Sequence, residues 1–495
     1  MKILLAASEA VPFAKTGGLA DVCGALPLEL SRLGHEPVLF LPAYAQSKRS
    51  GRPIRPAGLE LAIPIGAKTV RGRLLESTLP NSEVPVYLIE QDQYFDRAGL
   101  YQDADGRDYI DNCERFTFFC RAVMECIRLL DLKPDLVHAH DWQTGLIPAY
   151  LKTEYRDKPG YEQIGSLFTI HNLAYQGQFW HWDMLLTGLD WKYFNWHQME
   201  FFGHLNLMKT GLVFADALNT VSPRYAQEIQ TAPLGCGLEG VLRQRRGVLS
   251  GILNGVDYSE WNPATDRHLV KPYDADTAEQ GKAASKAALQ QELGLHVSPR
   301  VPLAGFIGRL ADQKGLDLIA EVIQKWTGAD LQWVILGTGE ARYHQLFTAL
   351  THEFPNKIAA RLEFSEGLAH RIEAGADMFL MPSRYEPCGL NQLYSLKYGA
   401  VPVVHETGGL ADTITDATED ALSQGIANGF VTKEYSPLAL GNTLRRACQA
   451  YAQPDVWKRL VTTGMRQDWS WSRSARQYLS LYESIIAAQR QTVGT

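Results

Sequence analysis

A pair of cationic side chains stands beside a glycine-rich turn in the second half of the chain. Arg309 and Lys314 lie within GRLADQKG, directly after the apolar run 303–307. That run predicts a buried parallel strand, and α/β proteins bind ligands at the carboxyl ends of such strands. A guanidinium fork and an ammonium charge together suit a diphosphate. The alternative is a solvated pair of loop cations, but the flanking glycines favour binding.

A carboxylate follows another predicted strand of the same half. Glu386 lies in RYEPCGL, after the apolar run 378–381, where it could bind sugar hydroxyls. The alternative is a carboxylate that caps the next helix. Cys388 raises the question of a nucleophile, but no adjacent base would activate it, so we interpret it as a small buried residue.

Polar residues also end two predicted strands of the first half, in HAHDW (138–142) and TIHN (169–172). Three histidines and Asp141 raise a zinc site as an alternative, but their spacing matches no common zinc pattern. Strand ends of this kind also suit hydrogen bonds to a sugar, and His171 with Asn172 lies where a substrate would bind.

One hexapeptide, TGGLAD, occurs at 16–21 and again at 407–412. Each copy follows a predicted strand and precedes a helix. Glycines there let a ligand approach the backbone, and a helix N-terminus offers unpaired N–H groups. Either copy could be an ordinary tight turn, but the repetition favours a shared ligand.

The segment 179–196 is rich in aromatic residues and includes four tryptophans. Such rings could stack on sugars, or they could form the core of a packed insertion. Both interpretations stay open.

Short apolar runs alternate with longer amphipathic stretches, which predicts parallel strands under helices and therefore two doubly wound α/β domains. We place the boundary near 256, giving domains 1–256 and 257–469 and a C-terminal amphipathic helix in 470–495. The predicted strands are 3–7, 37–41, 84–89, 135–139, 166–170, 217–221, 303–307, 332–336, 361–364, 378–381 and 401–404.

Composition excludes several classes of partner. The net charge of the 495 residues is −7 and there is no long basic run. This charge argues against nucleic acid as a partner and is compatible with a neutral polymer as a partner. No apolar run reaches the ~18 residues of a membrane span, and the N-terminus resembles a first strand more than a signal peptide. The seven cysteines form no CxxC pair. These features predict a cytoplasmic protein.

Taken together, these motifs resemble the bacterial glycogen synthase and plant starch synthase family, glycosyltransferase family 5. The resemblance extends over the whole chain and is carried by KTGGLADV (15–22), HAHDW (138–142), TIHNLAYQG (169–177), TVSPRYA (220–226), GILNGVDYSEWNPATD (251–266), GRLADQKG (308–315), EGLAHRI (366–372), SRYEPCGLNQLYSLKYG (383–399), TGGLADT (407–413) and SWSRSA (470–475).

The resemblance implies a GT-B architecture, with two Rossmann-like domains facing across a cleft and a C-terminal helix that crosses back to the first domain. It implies retaining transfer of glucose from ADP-glucose, or in some members UDP-glucose, to the non-reducing 4-hydroxyl of an α-1,4-glucan or maltooligosaccharide. The first domain would serve the acceptor and the second the donor. Neither a metal nor a cofactor is implied.

Roles for individual residues follow from the same resemblance. The implied catalytic residues are Lys15, Asp141, His171, Arg309, Lys314 and Glu386. The implied donor-binding residues are Lys15, Gly17, Gly18, Asn254, Arg309, Lys314, Phe364, Cys388, Gly389, Leu390, Thr407, Gly408, Gly409 and Leu410, with Phe364 beside the base. The implied contacts to acceptor or transferred glucose are Tyr101, Asp141, His171 and Asn172.

Rival interpretations fit the residues less well. Sucrose- and mannosyl-type transferases typically carry a second Glu eight positions after the first, where this chain has Tyr394. A glucan phosphorylase would need a pyridoxal-lysine context, and none is visible. A catalytically silent glucan-binding protein should have lost Lys15, Arg309, Lys314 or Glu386, and all four are present. One departure from the family is His405-Glu406, where many members carry a basic residue.

Overall fold

The computed structural model describes residues 1–326 and 329–493, which form two compact units. Unit 1 comprises Met1–Gly255 together with the C-terminal helix, and unit 2 comprises Val256–Ser470. Each unit is built around its own largely parallel sheet, so the predicted fold class is confirmed.

The main sheet of unit 1 has nine strands among the described residues. The strands of unit 1 are β1 (Lys2–Ala6), β2 (Glu36–Pro42), β3 (Arg55–Ile65), β4 (Lys68–Thr78), β5 (Pro85–Glu90), β6 (Leu136–His140), β7 (Gly165–Ile170), β8 (Gln178–Phe179), β9 (Glu200–Phe201), β10 (His204–Asn206), β11 (Ala217–Thr220) and β12 (Leu249–Gly251). Their order in the main sheet is β12-β11-β7-β6-β1-β2-β5-β4-β3, and β8, β10 and β9 form a separate small sheet. The main sheet is parallel except at the β5-β4-β3 edge.

Helices cover both faces of this sheet, as its apolar central strands require. They are α1 (Gly18–Arg32), α2 (Ala45–Lys48), α3 (Asp92–Phe95), α4 (Asn112–Leu129), α5 (Leu146–Lys152), α6 (Met184–Thr187), α7 (Leu207–Phe214), α8 (Pro223–Glu228) and α9 (Glu239–Gln244). Short 3-10 helices occur at Trp142–Thr144, His181–Asp183, Trp191–Tyr193 and Arg246–Val248.

Unit 2 has a six-stranded sheet that is parallel throughout its described residues. Its strands are β13 (Leu303–Ile307), β14 (Gln332–Leu336), β15 (Ile358–Arg361), β16 (Met378–Met381), β17 (Val401–His405) and β18 (Phe430–Thr432), in the order β15-β14-β13-β16-β17-β18. Its helices are α10 (Ala278–Leu293), α11 (Leu316–Lys325), α12 (Ala341–Glu353), α13 (Glu366–Gly375), α14 (Asn391–Tyr398), α15 (Gly408–Thr413), α16 (Glu419–Ser423), α17 (Pro437–Tyr451) and α18 (Pro454–Arg466), with a 3-10 helix at Asp312–Lys314.

The strand predicted at 361–364 is wrong. β15 pairs with β14 from Ile358 to Arg361, so the strand ends where the prediction begins. Leu362 and Phe364 alternate with polar neighbours, a pattern that is typical of a strand, but they lie in the loop before α13. The long antiparallel hairpin of β3 and β4 was not predicted, because its largely exposed strands contain no continuous apolar run.

The C-terminal helix α19 (Trp471–Val493) packs within unit 1, as the resemblance implies. Its Tyr478, Tyr482 and Ile485 are buried in the apolar cluster that also contains residues of β1 and α1. The Tyr482 hydroxyl lies 2.8 Å from Nδ1 of the buried His138 in β6. Within the described residues, no helix combines the length and apolarity that a bilayer crossing requires.

Replacing Tyr482 by Phe tests this docking. The substitution leaves a buried imidazole nitrogen of His138 without its partner, which should lower the free energy of unfolding by about 1–3 kcal/mol. Urea unfolding followed by circular dichroism measures the change in midpoint. Tyr175→Phe, at a half-exposed ring, serves as the control and should leave the midpoint almost unchanged. Equal midpoints for both variants would contradict a stabilising role for this contact.

Candidate active site

The first TGGLAD copy forms the loop between β1 and α1. Gly17 precedes the helix in an extended conformation (φ −156°), and no described atom lies within 4 Å of where its side chain would begin. Local geometry therefore does not require glycine at this position, and its absent side chain leaves the backbone open to a ligand. Gly18 is the first residue of α1, and Lys15 is half exposed, with Nζ 2.7 Å from Oδ1 of Asp21.

The carboxylate of Glu9 holds this loop in place, a role that the sequence analysis missed. Glu9 is 3% exposed, and its oxygens accept hydrogen bonds from the Thr16 amide (2.5 Å), the Thr16 hydroxyl (2.6 Å) and the Gly17 amide (3.2 Å). A buried carboxylate with several donors around it is well satisfied and orders the donors it binds. The one signal in the sequence is a charged residue shortly after the apolar run 3–7.

Tyr101, predicted to contact the acceptor, shares the same carboxylate. Its hydroxyl donates to Oε1 of Glu9 at 2.6 Å and lies 2.7 Å from the hydroxyl of Ser8. Its ring is partly buried and packs 6.4 Å from the ring of Trp142. Glu9 thus links Tyr101 to the glycine loop, and the structure brings these candidates of unit 1 together.

The strand-end histidines of β6 and β7 form a buried row. Nδ1 of His140 lies 3.0 Å from Nε2 of His171, and the rings of His138 and His140 are tilted against each other with centroids 3.9 Å apart. Burial lowers the pKa of His171 to about 3 and holds the pKa values of His138 and His140 well below the ordinary value. The three imidazoles are therefore neutral at physiological pH, which suits hydrogen bonding but not general acid catalysis.

The same residues bear on the zinc alternative. Nε2 of His138 lies 2.7 Å from the hydroxyl of Thr169, so both of its ring nitrogens are engaged by the protein. Within residues 1–326 and 329–493, no three His, Cys, Asp or Glu side chains are grouped so that they could hold a metal ion.

Asp141 follows β6 in a strained conformation. Its φ of 56° with ψ of 178° is a region that costs a residue with a side chain about 1–3 kcal/mol, and such strain clusters at functional sites. Its Oδ1 accepts a hydrogen bond from the amide of His171 at 2.7 Å, which joins the two candidates. Asn172 is the residue after His171, and its Oδ1 accepts a hydrogen bond from the amide of Ala174 at 3.1 Å.

Burial raises the pKa of Asp141 to about 7. Above pH ~4 the unfolded chain has lost this proton while the folded chain keeps it until about pH 7. Stability should therefore fall as pH rises through this window. Asp141→Asn keeps an acceptor for the His171 amide and removes the titration, so it should gain stability relative to the wild type between pH 5 and pH 8.

Urea unfolding of both proteins at several pH values measures this gain. The exposed Asp157→Asn is the matched control, and its difference from the wild type should not grow with pH. A constant difference for Asp141→Asn would contradict the assignment.

Asn254 lies just before the end of the first segment of unit 1. Its side chain is buried, at 5% exposure, and its Oδ1 has no hydrogen-bond partner among the described residues. Buried amide oxygens are rarely left unsatisfied, so this oxygen is available to a ligand or to water. Its predicted donor contact remains a prediction.

In unit 2, the structure joins two of the predicted catalytic residues directly. Nζ of Lys314 lies 2.6 Å from Oε2 of Glu386, and the hydroxyl of Ser383 is 3.0 Å from the same oxygen. Lys314 ends the 3-10 helix after β13, whereas Glu386 lies in the loop after β16, the neighbouring strand of the sheet. Adjacent parallel strands thus place a cation and a carboxylate at one edge, as the positions in the sequence predict.

Arg309 stands on the exposed loop after β13. Its guanidinium lies 3.5 Å from Oε1 of Gln313, and the side-chain Nε2 of Gln313 donates to the carbonyl of Tyr385 at 3.2 Å. Gln313 thus connects the loop of Arg309 with the loop of Glu386. The glycine that follows Lys314 is required by the fold, because Gly315 has φ +72° and a Cβ there would lie 2.1 Å from the carbonyl of Pro382.

The second TGGLAD copy packs against the loop of Glu386. The amide of Gly409 donates to the carbonyl of Glu386 at 3.2 Å, and a Cβ at Gly409 would lie 2.0 Å from the carbonyl of Cys388. Gly408 has φ +44° and an equally close approach to the Glu386 carbonyl. These glycines are therefore required by the close packing of the two loops, unlike Gly17 of the first copy. Thr407 and Leu410, the other candidates of this loop, are buried beside them.

The remaining unit 2 candidates differ in exposure. Cys388 is buried, in line with its interpretation as a small packed residue, and Gly389 with Leu390 leads into α14. Phe364 is 83% exposed in the loop before α13. His405, the departure from the family pattern, donates from Nδ1 to the carbonyl of Ser383 at 2.7 Å and so supports the loop of Glu386.

Known protein families match this chain in both of its units. Residues 2–244 match the family model of the starch synthase catalytic domain, and residues 296–459 match that of glycosyl transferases group 1. The glycogen synthase of Rhodopirellula baltica is 46% identical, over 99% of this chain and 99% of the relative. The glycogen synthase of Anaeromyxobacter sp. (strain Fw109-5) is 47% identical, over 98% of this chain and 100% of the relative.

A solved structure is similar over the same extent. The catalytic domain of starch synthase IV from Arabidopsis thaliana, bound to ADP and acarbose, has a TM-score of 0.89 at 32% identity and covers 98% of this chain and 99% of its own. Two Rossmann-like units with polar strand ends, together with these matches, define a glycosyltransferase. The chain belongs to the starch synthase and glycogen synthase family.

Proposed function

We propose that the protein elongates α-1,4-glucans by transferring glucose from ADP-glucose to the non-reducing 4-hydroxyl, with retention of configuration and without a metal. The observation that carries the proposal is the contact between Lys314 and Glu386 at the strand ends of unit 2. It supplies a cation for a diphosphate and a carboxylate for sugar hydroxyls within one site. Unit 2 binds the donor, and unit 1 supplies the acceptor residues.

The departing diphosphate needs positive charge that is fixed before reaction. Glu386 holds the ammonium of Lys314 at 2.6 Å, and Gln313 contacts the guanidinium of Arg309. Preorganised charges of this kind stabilise a leaving anion without reorganising during the step. The family resemblance also assigns Lys15 and the first glycine loop to donor binding, and we propose the same roles here.

These cations do the work that a bound cation held by an Asp-x-Asp pair does in metal-dependent transferases. The two Asp-x-Asp sequences of this chain already have local roles. Oδ1 of Asp103 accepts from the Asp105 amide at 2.9 Å, and Oδ1 of Asp274 accepts from the Asp276 amide at 3.1 Å. Both aspartates thus close turns.

Retention requires either a covalent sugar intermediate or attack from the face that the phosphate leaves. Glu386 is ion-paired with Lys314, and burial raises the pKa of Asp141 to about 7, so neither carboxylate is prepared as a nucleophile. We therefore propose same-face attack, with the leaving phosphate accepting the proton of the acceptor hydroxyl. Isolation of a glucosyl adduct on Asp141 or Glu386 would overturn this step.

The proposal includes a cytoplasmic location. No disulfide joins any of the seven cysteines, all of which lie in the described residues, and this state suits a reducing compartment. The proposed partners are ADP-glucose, with UDP-glucose as the alternative donor, and an α-1,4-glucan or maltooligosaccharide.

Transfer of labelled glucose tests the proposal. ADP-glucose and UDP-glucose are offered separately to a maltooligosaccharide in the presence of EDTA. Incorporation from ADP-glucose supports both the activity and its independence from metals. Incorporation from UDP-glucose alone would show that UDP-glucose is the donor in place of ADP-glucose. Incorporation that stops when EDTA is added would overturn the metal-free step. No incorporation from either donor overturns the activity.

A further inference from the structure

The register of two parallel strands in unit 1 decides which residues the buried histidines contact. β6 and β7 pair with His138 opposite Leu167 and His140 opposite Thr169. Alternate residues of a strand share a face, so the side chains of His138, His140 and Thr169 lie on the same side of the sheet. Each histidine of β6 contacts the residue two positions beyond its partner. The ring of His138 lies 2.7 Å from the Thr169 hydroxyl, and that of His140 lies 3.0 Å from the ring of His171.

The two histidines of β6 differ in how completely their nitrogens are paired. Both ring nitrogens of His138 are engaged within the protein, by the hydroxyls of Tyr482 and Thr169. His140 is just as fully buried, but only its Nδ1 is bonded, to Nε2 of His171. Its Nε2 has no hydrogen-bond partner among the described residues. An unpaired buried nitrogen is costly, so the contact of His140 with His171 calls for an explanation beyond packing.

The direction of the hydrogen bond between these two rings follows from the unpaired nitrogen. Burial holds the pKa values of His140 and His171 well below the ordinary value, so both rings are neutral and each carries one proton. If His171 donated, the proton of His140 would lie on its Nε2 and form a buried N–H without an acceptor. If His140 donates from Nδ1, its Nε2 is only an unused acceptor. Buried donors without a partner are rarer in proteins than unused acceptors, which favours donation by His140.

This direction decides which nitrogen of His171 carries its proton. Because Nε2 accepts from His140, the proton of the neutral His171 ring lies on Nδ1. Nδ1 has no hydrogen-bond partner among the described residues, and His171 keeps 9% exposure, so this N–H is left for a ligand or water. The amide of His171 donates separately to Oδ1 of Asp141 at 2.7 Å. The end of β6 therefore holds both the backbone and the ring of His171.

We propose that His140 is a positioning residue that holds His171 in the tautomer with an Nδ1–H donor for a hydroxyl of the transferred glucose. The inference rests on the proposed function, because that function supplies the sugar. The hydroxyl oxygen accepts a hydrogen bond from Nδ1, and no proton is transferred. His140 is fully buried and acts only through His171. Its effect is therefore on the orientation of the sugar and not on affinity for the glucan.

Steady-state transfer from ADP-glucose to maltotriose tests this role in activity. His140→Phe keeps a ring for packing but cannot donate to His171, so kcat should fall about tenfold while the KM for maltotriose stays unchanged. His140→Asn places an amide group near the position of Nδ1 and should keep kcat within about threefold of the wild type. Tyr482→Phe is the matched control, because it removes a partner of His138 in the same row and leaves His140 and His171 unaltered. It should keep wild-type kcat.

Nuclear magnetic resonance of protein labelled with ¹⁵N-histidine measures the tautomer directly, because protonated and bare ring nitrogens differ in chemical shift. The signals of His171 are those that disappear in His171→Gln. We expect a protonated Nδ1 and a bare Nε2 in the wild type. In His140→Phe the proton should move wholly or partly to Nε2, since that nitrogen no longer accepts a hydrogen bond.

Several outcomes overturn the proposal. A proton on Nε2 of His171 in the wild type would do so, as would unchanged kcat in His140→Phe. An equal loss of kcat in His140→Asn or in Tyr482→Phe would assign His140 to packing alone. If His140→Phe does not fold, the wild-type spectrum and the kinetics of His140→Asn still decide. The spectrum requires neither donor nor acceptor, so failure of the wild type to transfer glucose would overturn the proposed function, whereas the tautomer still decides the role of His140.

Discussion

Replacing Lys314 by Ala should lower kcat by about 10²–10³-fold and leave the fold intact. Removing one preorganised contact to a developing anion in a water-poor site typically costs about 3–4 kcal/mol of transition-state stabilisation. Lys314 is one-quarter exposed and lies at the strand edge with Glu386, so its charge is only partly screened by water. Steady-state transfer from ADP-glucose to maltotriose measures kcat, and circular dichroism checks the fold.

The neighbouring helix offers a matched control. Lys325 of α11 is also paired with a glutamate, Glu321, but it is 66% exposed and belongs to no candidate site. Lys325→Ala should therefore keep wild-type kcat. Because the substitution at Lys314 also removes the ion-pair partner of the buried Glu386, urea unfolding of Lys314→Ala is measured beside kcat, which separates a loss of stability from a loss of turnover. Near-normal turnover in Lys314→Ala would refute the role of this cation.

The second large effect is expected at Glu9. Glu9→Gln keeps the size of the side chain but places an amide group among donors, so at least one hydrogen bond from Thr16, Gly17 or Tyr101 is lost. The first glycine loop should then shift. Misplacement of a positioned group by about 1 Å can cost about 10²-fold in rate. We expect kcat/KM for ADP-glucose to fall by about this factor, with both parameters affected.

Two further variants distinguish the positioning of the glycine loop by Glu9 from a general loss of stability. Glu29→Gln on α1 alters a carboxylate paired with Arg32, away from the glycine loop, and should leave kcat/KM unchanged. Tyr101→Phe removes one of the contacts to Glu9 and should have a smaller effect than Glu9→Gln. If Glu9→Gln retains wild-type kcat/KM, or only lowers the unfolding midpoint, Glu9 does not position the loop.

Most of the fold could be predicted because buried parallel strands are continuous apolar runs. Strands such as β13, β14 and β16 coincide with the predicted ranges, since their burial on both faces leaves little choice of residue. The half-exposed hairpin of β3 and β4 and the three-residue β18 carry no such run and were missed. The shift at β15 shows that register depends on the neighbouring strand, which periodicity alone does not reveal.

The candidate site was predictable in its residues more than in its contacts. Lys314 and Glu386 each follow a predicted parallel strand, and the carboxyl ends of such strands lie at one edge of the sheet. The two residues could therefore be placed together, although they are 72 positions apart. The hydrogen bond from Tyr101 to Glu9 spans 92 positions and involves a residue with no motif of its own, so only the structure reveals it. The two TGGLAD copies look identical in sequence, yet the fold requires glycine at Gly408 and does not require it at the equivalent Gly17. The roles of the individual site residues stay predictions until the variants are measured.

The position of α19 has a consequence for synthesis on the ribosome. Unit 1 is completed by the last helix of the chain, whereas all of unit 2 is translated before that helix. Nascent unit 1 therefore exposes the apolar groove that later receives Tyr478, Tyr482 and Ile485 while more than 200 further residues emerge. Exposed apolar surface of this kind makes a folding intermediate prone to aggregation. A chain truncated before Trp471 would keep this groove permanently uncovered and would depend on chaperones to remain in solution.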